Sequence, residues 1–261
     1  MKNIKLSVVI ITRNEENEIE ECLQSVYGWA DEIIVVDDES QDKTIQIAKN
    51  YTNKVFQRKM DVEGSHRNWA YSQASNEWVL SLDADERVTE ELKKEIFSII
   101  GANPSENGFS IPRKNFIGSY WVKYSGWYPS AQLKLFRKDK FRYEESEVHP
   151  RAFLEGGSRQ LKSPLLHYSY DNFEDFLAKL NRQTTLEAKK WFNQGKKMTL
   201  GRFLWRAFDR FMRSYIRKKG FKDGFIGFLV AFNAALYQIV SYLKFREIIF
   251  NQNNSIINKN S

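Results

Sequence analysis

The sequence predicts an α/β fold: a mostly parallel sheet with helices on both faces, followed by a helical C-terminal extension. Three observations predict it. Short apolar runs rich in Val and Ile recur through the first hundred residues, as strands buried on both faces require. Helical patterns separate these runs, giving the order βαβαβαβα. After Tyr170 the chain reads as helical to its end.

Leu6–Thr12 is the first expected strand, followed by a helix over Glu15–Tyr27 with Ile19, Leu23 and Val26 on one face. Glu32–Val36 is the second strand, and Lys43–Asn50 a helix with Thr44, Ile45 and Ala48 inward. Lys54–Gln57 reads as a short strand and Ser65–Ser75 as a helix. Trp78–Leu82 is the fourth strand, before a helix over Thr89–Ile100 that Thr89 caps. At Asn103 the pattern breaks into the loop Asn103-Pro104-Ser105-Glu106-Asn107-Gly108. Phe109–Arg113 and Leu133–Phe136 then read as strands of a mixed or antiparallel extension. Between them lies the aromatic segment Tyr120–Tyr128, hinged at Gly118 and Gly126. The expected organisation is a nucleotide-binding and catalytic domain over 1–170, a basic helical region over 171–250 and a frayed tail over 251–261.

The 261 residues suffice for a large domain with an appendage. The single cysteine, Cys22, permits no internal disulfide and fits a reducing compartment. A buried, inert thiol is the reading for it. The run Leu6–Ile11 is too short for a signal-peptide core, so a cytoplasmic location is expected. Net charge is +7, but residues 1–100 carry −8 and the remainder +15. Such a contrast points to different partners: metal and nucleotide for the acidic part, an anionic surface for the basic part.

Asp83-Ala84-Asp85-Glu86 closes the fourth strand, and Asp37-Asp38-Glu39-Ser40 closes the second. Alternation along a strand would turn Asp83 and Asp85 to the same side. Carboxylates there suit a hard divalent cation that keeps open positions for phosphate oxygens. Acidic tips of neighbouring strands meet in the crevice at the carboxyl edge of an α/β sheet. The segment Thr12-Arg13-Asn14-Glu15-Glu16-Asn17 has neither the Gly-rich turn of a dinucleotide-binding unit nor a P-loop. Phosphate must therefore be handled by metal and cations. Asp37 or Asp38 can accept from a base or ribose group; the competing reading has Asp38 and Ser40 capping a turn.

Four blocks, V-I-I-T-R-N-E-E-N, V-V-D-D-E-S-Q-D-K-T, G-S-H-R-N-W-A and L-S-L-D-A-D-E, resemble in order and spacing the family-two glycosyltransferases. Those are enzymes of the GT-A fold that take nucleotide-diphosphate sugars and invert the anomeric centre. The match covers Leu6–Ile100. Later blocks, G-W-Y-P-S-A-Q-L-K-L-F-R, E-V-H-P, L-L-H-Y-S and K-K-G-F-K-D-G-F-I-G-F, resemble more loosely the branch containing lipopolysaccharide-core β-glucosyltransferases.

The resemblance implies that Thr12, Asn14, Glu15, Asp37 and Asp38 hold the nucleoside of the donor, a UDP-sugar by preference. Asp85 becomes the main ligand of Mg2+ or Mn2+, and Asp83 meets the ribose or donor sugar. Arg67 lies near the base or diphosphate, where a guanidinium fork suits paired oxygens; the alternative is a solvated helix charge. His66 reads as structural or surface. Inversion needs a base for the acceptor hydroxyl. Glu147 is the first candidate and Glu145 the second, with His149 as a metal or phosphate ligand. Related sequences have V-H-E where this chain has Val148-His149-Pro150. His167 is either a further metal or diphosphate ligand or a hydrogen-bonded core histidine. Trp127 and Tyr128, with Trp121, form either a platform for acceptor sugars or part of the core.

Between Lys179 and Lys222 stand 14 Lys and Arg against Glu187 and Asp209. Arg202, Arg206, Arg210, Arg213 and Arg217 share one helical face, as in cationic helices that lie on anionic lipid. A solvated outer face is the alternative. Phe225–Leu243 is long enough to approach a membrane span, but Asn233, Tyr237, Ser241 and Lys244 form a polar stripe along it. That stripe fits a helix packed on protein or lying in an interface. No RNA- or DNA-binding motif accompanies the charge, and a homo-oligomer is left open.

The sequence thus reads as an inverting glycosyltransferase acting on lipopolysaccharide core or a similar envelope glycan, docked peripherally on a membrane. A sugar-nucleotide pyrophosphorylase would want a Gly-rich, basic loop after the first strand, which is missing here. A non-catalytic glycan- or lipid-binding scaffold is the third reading.

Overall fold

Strands that are apolar at nearly every position must be covered on both faces, and Leu6–Thr12 and Trp78–Asp83 become such strands. The computed structural model describes residues 5–145 and 151–257. In chain order the strands are β1 (Leu6–Thr12), β2 (Glu32–Asp37), β3 (Val55–Gln57), β4 (Trp78–Asp83), β5 (Glu86–Val88), β6 (Gly108–Ile111), β7 (Arg113–Ile117), β8 (Tyr120–Trp121), β9 (Gln132–Arg137), β10 (Phe141–Tyr143), β11 (Ala152–Leu154), β12 (Ser158–Gln160) and β13 (Leu165–Tyr170). The helices are α1 (Ile19–Gln24), α2 (Thr44–Ala48), α3 (Glu63–Ser72), α4 (Glu90–Gly101), α5 (Phe173–Asn193), α6 (Leu200–Met212) and α7 (Gly224–Ile257).

The chain forms two compact units: Met1–Lys114 with Pro129–Tyr168, and Asn115–Tyr128 with Ser169–Ser261. The second therefore takes in the aromatic segment as well as the C-terminal helices. A seven-stranded sheet in the order β12-β6-β9-β4-β1-β2-β3 organises the first unit. β1 pairs parallel with β2 and β4, and β2 parallel with β3. β9 runs antiparallel to β4 and β6, giving the mixed extension expected of the later strands. Alternate residues of β1 feed two cores. Leu6, Val8 and Ile10 pack with Ile19, Leu23, Leu92 and Ile96 on one face. Val9, with Ile34 and Val36 of β2, packs with Ala70, Tyr71 and Phe136 on the other.

The chain leaves β1 toward β2 and β3, then returns to place β4 on the other side of β1. This reversal opens the ligand crevice at the carboxyl ends of the strands. Thr12 is in register with Asp37, and Ile11 with Asp83.

Two predicted helices are shorter than expected. The first begins at Ile19 rather than Glu15 because its leading residues are held by another segment. The backbone N–H groups of Asn14, Glu15 and Glu16 donate to Ser40 Oγ, Thr44 Oγ1 and Asp42 Oδ2. Asn14 adopts φ 52°, outside the helical region. The second is limited to Thr44–Ala48. Thr89 caps α4 as predicted, its Oγ1 accepting from Leu92 N at 3.1 Å.

In the second unit the polar stripe of α7 faces protein. Four oxygens of α5, Asn181 O, Asn181 Oδ1, Thr184 Oγ1 and Thr185 Oγ1, lie 2.6–2.9 Å from Lys244 Nζ and share its three N–H donors. Ser241 and Gln238 are buried. Phe203 stacks on Tyr242 with ring centroids 4.3 Å apart, inside a core that includes Trp191 and Phe245. The opposite side of α7 exposes Phe225, Phe228, Phe232 and Leu243. By length and composition this helix could cross a bilayer.

Of the five arginines in the stripe, Arg202, Arg210, Arg213 and Arg217 are exposed and Arg206 is partly buried. Arg206 donates from Nε to Gln238 at 3.0 Å and lies over the Trp191 ring. Arg213 and Arg217 lean on Asp209. Leu200, Leu204, Trp205 and Phe208 of α6 are exposed as well. Phe203 and Ala207 are the buried residues of α6, so these hydrophobes stay on the outside with most of the arginines.

Candidate active site

The carboxyl ends of β1, β2 and β4 bring most of the expected donor-site residues together in the first unit. Thr12 is buried, and its Oγ1 has no hydrogen-bond partner. Asn14 Oδ1 accepts from Gln41 N at 2.8 Å, tying the β1 loop to the β2 loop. Asp37 is buried and turned into its own loop, accepting from Ser40 N at 2.9 Å and from Ser40 Oγ. Of the adjacent acidic pair, then, Asp37 and not Asp38 caps the turn with Ser40. Asp38 accepts from Met60 N at 2.7 Å through Oδ1 and from Arg13 Nη1 at 2.8 Å through Oδ2. Arg13 itself is 62 % exposed.

β4 ends at Asp83, and Ala84-Asp85 turn into β5. This turn breaks the strand alternation, so the two aspartates meet different partners rather than converging on one. Asp83 Oδ1 receives Arg67 Nη2 at 3.1 Å and Oδ2 receives Lys134 Nζ at 2.8 Å. Burial opposes its charge, yet Lys134 and Arg67 hold the carboxyl well below the usual carboxylate range. Asp85 Oδ2 lies 3.2 Å from His167 Nε2, while its buried Oδ1 has no hydrogen-bond partner. The pairing of β5 with β13 creates that juxtaposition, since it sets His167 opposite Glu86.

Lys134 and Glu86 are charged residues of this site to which the sequence pattern assigns no role. Lys134 is 3 % exposed and Glu86 fully buried. Lys134 Nζ also donates to Glu86 Oε2 at 2.8 Å, and that same oxygen accepts from Asp83 N at 3.0 Å. Arg113 Nη1 approaches Glu86 Oε1 at 3.6 Å. Burial disfavours the ammonium charge, but Asp83 and Glu86 raise the Lys134 pKa above its ordinary value. A signal existed: Lys134 sits among Leu133, Leu135 and Phe136 in a strand, where a lysine requires acidic partners.

Arg67 projects from α3, held by Glu63 Oε1 at 3.0 Å and lying over the Tyr143 ring. It is a half-buried, paired group and not a solvated helix charge. Asn68, next to it, clamps Tyr143: Nδ2 donates to Tyr143 O at 2.9 Å, and Oδ1 accepts from Tyr143 N at 2.7 Å. Tyr143 stands two residues ahead of Glu145, which is exposed. Glu147 and His149 lie outside the described residues. His66 is buried, and burial, together with the Arg58 charge, pushes its imidazole pKa down. Cys22 is fully buried, its Sγ directed at Asp83 O, and burial raises the thiol pKa far above the usual range.

Trp127 and Tyr128 belong to the second unit. Tyr128 packs edge-on against Trp121, and Trp127 lies beside Tyr170 and Phe176.

Among the described residues, no three His, Cys, Asp or Glu side chains gather as a ligand set for a metal ion. Asp85 and His167 nevertheless fit a hard cation. A carboxylate oxygen buried without a donor, beside an imidazole, is a costly arrangement that a cation would satisfy.

The family model described as "Glycosyl transferase family 2" matches residues 7–155. A glycosyltransferase of Rickettsia typhi, itself uncharacterized, is 28 % identical over 267 residues, spanning 98 % of this chain and 91 % of that one. The lipopolysaccharide core biosynthesis glycosyltransferase LpsC of Rhizobium meliloti is 26 % identical over 248 residues, spanning 92 % of each. Among solved structures, TarS 1–349 of Staphylococcus aureus aligns over 96 % of this chain and 92 % of that one, with 20 % identity and a TM-score of 0.47. With more than half of its length matched by that model, the chain belongs to glycosyl transferase family 2.

Proposed function

We propose that this protein is an inverting glycosyltransferase that moves a hexose from a nucleotide-diphosphate sugar, UDP-linked by preference, to a cell-envelope glycan. The observation that carries the reading is the contrast between the two aspartates of Asp83-Ala84-Asp85. Asp83 is neutralised by Arg67 and Lys134, whereas Asp85 keeps a buried oxygen free beside His167. The first is a rigid anchor and the second an available ligand.

Asp85 and His167 would hold Mg2+ or Mn2+ with the donor's phosphate oxygens, and His149 is the candidate third ligand. When bound, such a cation supplies neutralisation of the charge that develops on the leaving diphosphate. The chain's own residues do the rest. Thr12 Oγ1, without a partner, and Asp38, whose ion-pair partner Arg13 is exposed, offer polar contacts to base or ribose. Asn14 and Glu15 shape the loop, and Asp37 fixes it through Ser40. Arg67 has a guanidinium edge to offer phosphate. Glu147 takes the acceptor proton, with Glu145 next in preference, and Asn68 and Tyr143 anchor the strand that leads to them.

The name of the LpsC relative favours a lipopolysaccharide-core acceptor. Attachment to an anionic membrane rests on the exposed hydrophobes of α6 and α7 with Lys218, Lys219 and Lys222, also exposed, in the connection between them. Screening uridine, guanosine and thymidine diphosphate sugars for hydrolysis with and without Mn2+ tests the reading. Metal-dependent release of UDP is expected, and no release from any donor would overturn it. Glu147→Gln should keep donor binding and lose transfer; a fully active variant would move the base elsewhere.

A further inference from the structure

The helical unit contains a cavity of about 410 Å³, bounded by Trp127 and by residues of α5, α6 and α7. This volume falls within the ~300–1,000 Å³ typical of small-molecule sites. Its polar lining is poorly satisfied by protein. Exposed Arg210 and part-buried Asn233 and Tyr237 face it, and among the described residues no hydrogen bond or ion pair engages their side chains. Arg206 also lines it, bonded to Gln238 only through Nε, so its terminal nitrogens stay available. Glu187, the acid in the lining, accepts from the Trp191 indole. Burial pushes the Tyr237 phenol up, with Glu187 adding to the rise and Arg210 opposing it.

Two guanidinium groups with donors to spare call for an anion. An amide and a phenol beside them match hydroxyl groups, and aromatic walls match the apolar faces of a sugar ring. A purely lipidic ligand would cover the part-buried Asn233 and Tyr237 without offering them partners, at a cost. We infer that this cavity is a binding site for a negatively charged sugar, phosphorylated or carboxylated. Its identification as a residue of the acceptor glycan rests on the transferase reading above; the binding itself does not.

The test is titration of the full-length protein, without donor, with glucose 6-phosphate, glucuronate, glucose and inorganic phosphate, followed by tryptophan fluorescence and calorimetry. One of the two anionic sugars should bind at least about tenfold more tightly than glucose or phosphate, the worth of one charge-assisted hydrogen bond. Arg210→Gln and Asn233→Ala, both at positions outside the apolar core, should each weaken that binding by about tenfold or more with an unchanged melting temperature. No saturable binding by either anionic sugar would overturn the inference. So would phosphate binding as tightly as the sugar, or variants that bind normally. A protein that hydrolyses donor yet fails this titration refutes the cavity alone; one that binds sugar yet turns over no donor refutes only the transferase reading.

Discussion

Lys134 on β9 and Asp83 at the end of β4 form a buried ion pair of 2.8 Å, although they are 51 residues apart in sequence. The antiparallel pairing of β9 with β4 makes the contact, and Glu86 completes it from the next strand. The pair fixes Asp83 and, through the Asp83 N to Glu86 bond, the turn that presents Asp85.

Lys134→Met should therefore be strongly destabilising. It leaves Glu86 fully buried and Asp83 mostly so without their shared cation, at about 3–5 kcal/mol. Urea unfolding measures this, and adding Glu86→Gln to the variant should recover part of the loss. A change under about 1 kcal/mol would show that the ammonium is dispensable.

Glu32 gives a pH-dependent contribution. Burial opposes its charge, but hydrogen bonds from Lys54, Ser7 and Ser75 lower its pKa to about 2. The folded value lies below the unfolded one, so the stabilisation is complete above pH ~4.5 and disappears as pH falls toward 2. After discounting for the exposed Lys54 partner, the amount is on the order of 2 kcal/mol. Urea midpoints of wild type and Glu32→Gln, compared between pH 6 and pH 2.5, should converge as pH falls. A constant difference would exclude the linkage.

Membrane docking by the apolar face of α6 makes a different demand from docking by arginines. Leu204→Ser, Trp205→Ser and Phe208→Ser together should lower co-sedimentation with anionic vesicles more than tenfold, since each buried large side chain is worth about 1.5–3 kcal/mol. Reversing Arg213 and Arg217, already leaning on Asp209, should have less effect. Equal losses would return the docking role to charge.

Lys244→Met removes an ammonium whose three N–H groups bond the cluster of oxygens on α5 and should lower the stability of the helical unit by about 1–3 kcal/mol. Thermal melting followed by circular dichroism checks it, and an unchanged transition would mean the α5–α7 contact is held by its apolar residues alone.

What the sequence revealed depended on how local the cause was. β1 and the capped helix α4 have local causes, an unbroken apolar run and a threonine at the right offset, and both were readable. The truncation of α1 was not, because its first N–H groups are captured by Ser40, Asp42 and Thr44 across 26 to 29 residues. The acidic run at the end of β4 was readable, but strand alternation misplaced the directions of Asp83 and Asp85, because β4 ends at Asp83 and Asp85 lies in the turn that follows. The pairing of Lys134 with Asp83 and Glu86 was not readable, because strand order alone brings these residues together. The arginine spacing pointed to an exposed basic face, but it gave no sign of the exposed hydrophobes Leu204, Trp205 and Phe208 beside it.

Manganese binding in the presence of UDP, followed by electron paramagnetic resonance, tests the central claim most directly. Wild-type protein should bind the ion with UDP far more tightly than without it, and Asp85→Asn should lose that gain while retaining its fold. If Asp85→Asn binds manganese and UDP as the wild type does, Asp85 is not the ligand and the account fails.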